Sequence, residues 1–254
     1  PVSHEELNKE RYDLANSIVV SNKEEAKNFA TSIGAQAIIL SKDNTWEDIV
    51  SLLLEDDEKL KNRKATVCRK TKETDISLTV NLDGSGNGAI VTSIGFFDHM
   101  LEQIVRHSEI DVELTCKGDL EVDCHHSVED TAIVLGKCIL EALGNKKGIS
   151  RYGNEALVMD EVLATYSMDF SGRPCLEMKG EFSYEYIGDF PTEMIEHFFR
   201  SFCASAQVSM YLTFTKGNSH HQAEALFKAF ARALKESIHR YPWSDKLPST
   251  KGVL

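Results

Sequence analysis

His125-His126-Ser127-Val128-Glu129 and His220-His221-Gln222-Ala223-Glu224 carry one motif, His-His-x-x-Glu, twice and 95 residues apart. The features around each copy come in the same order. Phe96-Phe97-Asp98-His99 lies in an amphipathic stretch, followed by a β-like run over 111–116, Gly118-Asp119, and the first motif at the head of an apolar-periodic helix reaching about 143. Met194-Ile195-Glu196-His197-Phe198-Phe199 lies on a helix, followed by a β-like run over 207–215, Gly217-Asn218, and the second motif at the head of a helix to about 239. His99 and His197 stand 98 residues apart. Self-similarity of this kind identifies a duplicated α/β unit. Alternating segments at 65–82, 89–92, 164–170 and 175–182 add strands. The expected fold is α/β (α+β), with duplicated ferredoxin-like or split βαβ halves at about 64–156 and 157–254. Two sheets and four helices are related by a pseudo-twofold axis.

The first 62 residues differ in kind. They hold 13 acidic against 7 basic side chains, half of the total net charge of −12 in a quarter of the 254 residues. A strand at 17–20, a helix at 23–32, a strand at 35–40 and a helix at 46–54 behind an Asn44-Thr45 cap predict a small βαβα segment. Glu55-Asp56-Asp57-Glu58 reads as a solvated linker.

Composition narrows the function. At 42% hydrophobic and 27% charged the chain is globular. Its acidity, with a pI near 5.2, argues against nucleic acid and anionic membranes as partners. No apolar run approaches the ~18 residues of a membrane span, and Pro-Val-Ser-His-Glu-Glu lacks signal-peptide character, so a cytoplasmic location is expected. The six cysteines form no Cys-x-x-Cys pair and read as reduced thiols.

Seven of the nine histidines, 99, 107, 125, 126, 197, 220 and 221, fall in the repeated segments. On a helix, residues three or four apart share a face, so His125 or His126 can join Glu129 at one ion, and His220 or His221 can join Glu224. Adjacent residues differ by about 100° around the axis, so both histidines of a pair do not readily serve one ion. Two ions are expected. With His99 and His197 the ligand set is six imidazoles and two carboxylates. An octahedral ion with four such ligands keeps two open positions, which favours manganese, iron or cobalt over closed tetrahedral zinc. The spacing is not the His-Glu-x-x-His of metalloproteases.

From about residue 63 to 254 the chain resembles imidazoleglycerol-phosphate dehydratase of histidine biosynthesis. The resemblance runs through Arg69-Lys70-Thr71-Lys72-Glu73-Thr74, Gly95-Phe96-Phe97-Asp98-His99-Met100-Leu101, Asp123-Cys124-His125-His126-Ser127-Val128-Glu129-Asp130, Gly148-Ile149-Ser150-Arg151, Met159-Asp160-Glu161, Ser171-Gly172-Arg173-Pro174, Glu196-His197-Phe198-Phe199, Asn218-Ser219-His220-His221 and Pro248-Ser249-Thr250-Lys251-Gly252. The family usually has threonine at Ser127 and often an acidic residue or histidine at Cys124. The resemblance implies loss of water from imidazole glycerol phosphate to give imidazole acetol phosphate. Two manganese ions per active site would hold the substrate imidazolate while the ring expels the neighbouring hydroxyl through a diazafulvene-like intermediate. It implies Glu73 as the acid/base at the carbon-bound proton, with Glu129 and Glu224 as catalytic carboxylates of the metal centres. For the phosphate and the rest of the substrate it implies Arg151, Arg173, Ser249, Thr250 and Lys251, with His107 and Lys228 beside them. It also implies a homo-oligomer, commonly of 24 subunits, with ligands drawn from neighbouring chains.

Residues 7–62 resemble, more weakly, the end of the haloacid dehalogenase-type histidinol-phosphate phosphatase domain of bifunctional proteins, through Ala15-Asn16-Ser17-Ile18-Val19-Val20. Ser21-Asn22-Lys23-Glu24 stands where that family has an acidic Gly-Asp loop, and no Asp-x-Asp nucleophile precedes it. No phosphatase activity is expected from this chain. The competing readings are a bifunctional phosphatase-dehydratase cut short and a non-catalytic metal-storage protein. The second leaves Arg151, Arg173 and the Ser-Thr-Lys tail unexplained.

Overall fold

A computed structural model describes residues 17–41, 45–46, 63–241, 244 and 246–254. The chain divides into Pro1–Lys61 and Asn62–Leu254. In the first unit, β1 (Ile18–Ser21) pairs in parallel with β2 (Gln36–Ile39) across helix α1 (Glu25–Ile33), as the apolar pattern predicts. Gly34, in the left-handed region at φ 78°, ends α1 by donating to the carbonyls of Ala30 and Thr31. Beyond Trp46, the helix expected at 46–54 lies outside the described residues, as does its Asn44 cap.

The second unit holds two copies of one topology. In the first copy β3 (Lys64–Lys70), β4 (Thr74–Asn81), β5 (Gly88–Val91), α2 (Gly95–Ser108), β6 (Asp111–Gly118) and α3 (His125–Leu143) follow in order, and the sheet runs β3-β4-β6-β5. In the second copy β7 (Tyr152–Met159), β8 (Val162–Asp169), β9 (Cys175–Lys179), α4 (Glu193–Ala206), β12 (Ser209–Phe214) and α5 (Ser219–Ile238) give the sheet β7-β8-β12-β9. A short hairpin of β10 (Tyr186–Ile187) and β11 (Phe190–Pro191) precedes α4.

Each copy contains the expected βαβ unit. Its two parallel strands, β5 with β6 and β9 with β12, lie side by side rather than split by a third strand. The segment at 65–82 is two strands joined by a tight turn. The second repeat starts at β7, so a boundary between 156 and 157 would cut that strand. β7 escaped notice in the sequence because the charged Glu155 stands at an inward-facing place between Gly153 and Leu157, where it pairs with Arg232, and so interrupts the apolar alternation.

Period-2 alternation turns Ile76, Leu78 and Val80 of β4, and Val112, Leu114 and Cys116 of β6, into the core. Val162, Ala164, Tyr166 and Met168 do the same in β8. The helices of each copy cover the inner face of their own sheet. Across the repeat, α2 packs on α5 and α3 on α4, so four helices fill the space between two sheets. Phe198 and Phe199 of α4 meet Phe227 of α5 with ring centroids 5.1 and 5.0 Å apart, and Phe202 meets Phe230 at 5.0 Å. Each buried ring contributes about 1.5–3 kcal/mol, and ring pairs add roughly 0.5–1.5 kcal/mol. The α3–α4 approach is close enough to need Gly136, where a Cβ would lie 2.9 Å from the Phe202 carbonyl and the Ala206 amide. No helix among the described residues is long and apolar enough to cross a membrane.

Candidate metal and active site

Both His-His pairs sit in the first turn of a helix, and in each case a short polar side chain fixes the start. Asp123 Oδ1 accepts from the His125 amide at 2.7 Å, and Asn218 Oδ1 accepts from the His220 amide at 2.8 Å. The glutamate one turn on then faces the first histidine of its pair. His125 Nε2 lies 3.7 Å from Glu129 Oε2, and His220 Nε2 lies 3.3 Å from Glu224 Oε2.

The third member of each group comes from the other copy of the repeat. His99 of α2 places Nε2 3.9 Å from Glu224 Oε2, and His197 of α4 places Nε2 3.6 Å from Glu129 Oε2. Two trios result, His99/His220/Glu224 and His125/Glu129/His197, each with one candidate ligand atom per residue and all three atoms within 4.8 Å of one another. The helix pairs α2–α5 and α3–α4 are thus the scaffold of the site, and each trio exists only because the two halves dock.

The donor set fits a cation. His197 Nε2 is buried and has no hydrogen-bond partner among the described residues, which is costly for a ring nitrogen unless something occupies the trio. Burial of Glu224 opposes its charge. Lys228 Nζ at 2.7 Å, with His99 and His220, more than offsets this and holds the carboxyl below its ordinary range. Glu129 has no such lysine, since Ile133 stands one turn on. His107, on α2, is driven toward the neutral form by burial and then by the Lys228 and Arg232 cations.

The spacing of the motif left open which histidine serves with its glutamate. Within one chain the structure selects the first of each pair. His126 and His221 lie apart from the trios, half-exposed, and each rests on a carboxylate. His126 Nδ1 is 3.0 Å from Asp119 Oδ2, and His221 Nδ1 is 3.0 Å from Glu161 Oε2. These contacts raise the affinity of both rings for protons. Glu161 also accepts from the Asn218 amide at 2.6 Å, and its carboxyl falls to about 2. Asp160 approaches the same ring, 3.6 Å from His221 Nε2. Asp119 and Glu161 were missed as site residues because a carboxylate on a strand end or turn carries no spacing signal toward a histidine on a later helix.

Glu73 sits exposed in the β3–β4 turn. Its amide donates to Thr71 Oγ1, its carbonyl accepts from the Asp119 amide at 3.0 Å, and its charge is felt by His126. Asp130, the residue after Glu129, anchors α3 to the same end of the sheet by accepting from Arg69 Nε at 2.9 Å and Thr74 Oγ1 at 2.5 Å.

The residues expected at the phosphate form a separate group. Arg151 pairs with Asp169 through Nε at 2.6 Å and Nη2 at 3.0 Å, and Nη1 donates to the Pro248 carbonyl at 2.8 Å. Arg173 is exposed on the next loop. A Cβ on its neighbour Gly172 would lie 2.8 Å from the terminal carbon of Leu254, so the tail folds back onto this loop. In that tail Ser249 Oγ donates to the Val253 carbonyl and accepts from the Lys251 amide, with Thr250 and Lys251 exposed. Arg151 N donates to the Ser237 carbonyl at the far end of α5. The 13 residues from Glu224 to Ser237 span about 20 Å at 1.5 Å per residue. Lys228 and His107 flank the His99 trio instead. One chain therefore brings together six of the eight expected ligands in the two trios, and separately the residues expected at the phosphate, but not the two groups with each other.

Comparison with known proteins matches residues 92–234 to the family described as imidazoleglycerol-phosphate dehydratase. The enzyme of that name from Alkaliphilus metalliredigens is 51% identical over 187 residues, which is 73% of this chain and 96% of the relative. A protein named histidine biosynthesis bifunctional protein HisB, from Bacteroides fragilis, is 46% identical over 255 residues, 96% of this chain and 68% of the relative. That match takes in the N-terminal unit. Among solved structures, the dehydratases of Staphylococcus aureus (35% identity, TM-score 0.64, 70% of this chain and 99% of that one) and Pyrococcus furiosus in complex with (S)-C348 (30%, 0.64, 74% and 100%) share the fold. With both copies of the repeat and their cross-paired histidines inside these matches, the chain belongs to the imidazoleglycerol-phosphate dehydratase family, hydro-lyases of histidine biosynthesis.

Proposed function

We propose that the two trios each hold one divalent ion, manganese by the balance of imidazole and carboxylate donors, and that the dehydration is carried out at this pair of centres. The observation that carries the reading is the cross-pairing of His99 with His220/Glu224 and of His197 with His125/Glu129, together with the orphaned His197 Nε2. Bound there, the ions supply Lewis acidity to the imidazole nitrogens and leave the protein to manage the proton and the chain of the substrate.

Glu129 and Glu224 contribute the anionic ligand of each trio and offset the ion's charge. Lys228 keeps the Glu224 carboxylate ionised, so this ligand is ready at any pH above the acid range. Glu73, exposed on a rigid two-residue turn beside His126, takes the carbon-bound proton onto its carboxylate. Lys228 and His107 bracket the His99 trio and orient the hydroxyl-bearing chain of the substrate.

Arg151, Arg173, Ser249, Thr250 and Lys251 bind the phosphate. Arg151 keeps two N–H groups free after its bonds to Asp169 and Pro248, and Arg173 and Lys251 are exposed. The roughly 20 Å between this group and the trios of the same chain exceeds what an imidazole ring with a three-carbon phosphate chain can bridge. The working site therefore combines the phosphate residues of one copy with the trios of another, in a homo-oligomer for which the family resemblance implies 24 subunits. His126 and His221, turned away from their own trios, complete the ligand sets of neighbouring copies. Val158, Leu163 and Tyr211, exposed on the outer face of the second sheet, suit contact between copies.

The test is direct. Chelator-stripped protein is given manganese, zinc or nothing, and is assayed for loss of imidazole glycerol phosphate. Manganese-dependent turnover is expected, and turnover that survives complete metal removal contradicts the proposal.

A further inference from the structure

The two copies of the repeat support their outward histidines by different means, and the difference is visible in strand register. The β3–β4 hairpin turns through Lys72-Glu73, since Lys70 pairs with Asp75 and the Thr71 amide donates to the Thr74 carbonyl. The β7–β8 hairpin turns through Asp160-Glu161, since Met159 pairs with Val162. Glu73 and Glu161 thus occupy the same place in the two copies.

The strand alongside each hairpin differs. Thr74 pairs with Gly118, which sets Asp119 across from Glu73. In the second copy Ala164 pairs with Phe214, and the same register carried on by three residues sets Gly217 across from Glu161. Sequence similarity aligns Gly118-Asp119 with Gly217-Asn218, but the ladder aligns Asp119 with Gly217. A Cβ on Gly217 would lie 2.8 Å from Glu161 Oε1 and 3.0 Å from its Cγ. The glycine leaves open the space through which the Glu161 side chain folds over to His221. Where the first copy has an aspartate, the second has room for the turn glutamate to do the same task.

We propose that the repeat has divided two tasks between equivalent glutamates: Asp119 is the positioning residue for His126 and so leaves Glu73 unengaged, whereas Glu161 is the positioning residue for His221 and is thereby withdrawn from proton transfer. A carboxylate against Nδ1 requires the proton on that nitrogen, which turns the Nε2 lone pair outward to accept a metal and fixes the plane of the ring. Asp119 meets His126 Nδ1 with both oxygens, at 3.0 and 3.2 Å, and needs no help from Glu73. Glu161 is held from both sides, by His221 and by the Asn218 amide, and has no freedom to act elsewhere. This rests on the reading of Glu73 as the acid/base and of His126 and His221 as ligands.

The experiment measures manganese affinity on the stripped full chain, by electron paramagnetic resonance of the free ion, for Asp119→Asn, Glu161→Gln, Glu73→Gln and Asp119→Asn/Glu73→Gln. Loss of a carboxylate behind a ligand histidine weakens the metal by about 10–100-fold. That loss is expected for Asp119→Asn and for Glu161→Gln. Glu73→Gln alone is expected to keep wild-type affinity, and the double variant to bind more weakly than Asp119→Asn, because His126 turns to Glu73 once Asp119 is gone. Wild-type affinity in Asp119→Asn, or a loss in Glu73→Gln as large as in Asp119→Asn, overturns the division of tasks. Glu161→Gln, at an exposed turn, carries the test if Asp119→Asn does not fold. Turnover separates this from the parent reading: Glu73→Gln with full manganese affinity and full activity contradicts the acid/base role of Glu73, whereas the affinities of the Asp119 and Glu161 variants still decide the positioning.

Discussion

Replacing Gly136 with alanine tests how the packing of α3 on α4 governs the metal centre. The new Cβ would lie 2.1 Å from Ser205 Oγ and 2.9 Å from both the Phe202 carbonyl oxygen and the Ala206 amide nitrogen. The serine hydroxyl can rotate away. The two backbone atoms cannot, and ordinary contact near 3.4 Å requires α4 to retreat by about 0.5 Å. Overpacking of this kind costs about 1–3 kcal/mol. For a unit of this size that corresponds to a fall of roughly 2–12 °C in melting temperature. His125 and Glu129 ride on α3 and His197 on α4, so the same 0.5 Å opens their trio beyond the ~0.2 Å tolerance of a metal shell. The His99 trio spans α2 and α5 and is spared. The assay is scanning calorimetry of stripped protein with a manganese titration. The expected variant melts lower and keeps one ion tight while the other weakens. Equal weakening of both ions, or an unchanged melt with both ions bound normally, refutes the reasoning.

Arg151→Gln removes the bidentate partner of Asp169 and the tether to Pro248. Breaking such a part-buried pair is expected to lower stability by about 2–3 kcal/mol in urea unfolding and to expose the tail after residue 247 to limited proteolysis. His126→Ala and His221→Ala are each expected to abolish turnover and lower bound manganese, read by elemental analysis. Asp111 is held below the ordinary carboxylate range by the Ser85 amide, against some cost of burial, and further by the Asn87 amide and Asn81. A depressed folded pKa means stabilisation that is present above the unfolded value and lost as the pH falls through the folded one. Wild-type stability should therefore fall below roughly pH 4, and Asp111→Asn should lack that part of the decline in urea titrations from pH 6 to 3. Burial raises the Cys138 and Cys203 thiols to about 11, and Cys116 is raised as well. At pH 8 iodoacetamide should label the exposed Cys68 and Cys175 while these three resist, as peptide mapping would reveal.

The duplication was legible because it is written twice in residues of rare type: paired histidines with a glutamate on one helical face. Helical periodicity could not choose between His125 and His126, since offsets of three and four both face Glu129. The docking of α4 makes that choice by bringing His197 to one side only. The contribution of His99 to the opposite copy's motif was likewise illegible, because it depends on α2 packing against α5 rather than on any spacing along the chain. Arg151 and Lys251 are legible only through the family resemblance, and their remoteness from the trios follows from the length of α5. Asp119 and Glu161 escaped because strand register, not sequence similarity, sets Asp119 across from Glu73 and Gly217 across from Glu161.

The central claim is that two ions are each held between the halves of the repeat. Anomalous diffraction at the manganese edge, on crystals of the reloaded protein, tests it most directly. Two peaks per chain are predicted, one among His99, His220 and Glu224 and one among His125, Glu129 and His197. A peak bridging His125 with His126, or manganese bound only by Asp160, Glu161 and His221 of one chain, would contradict the account.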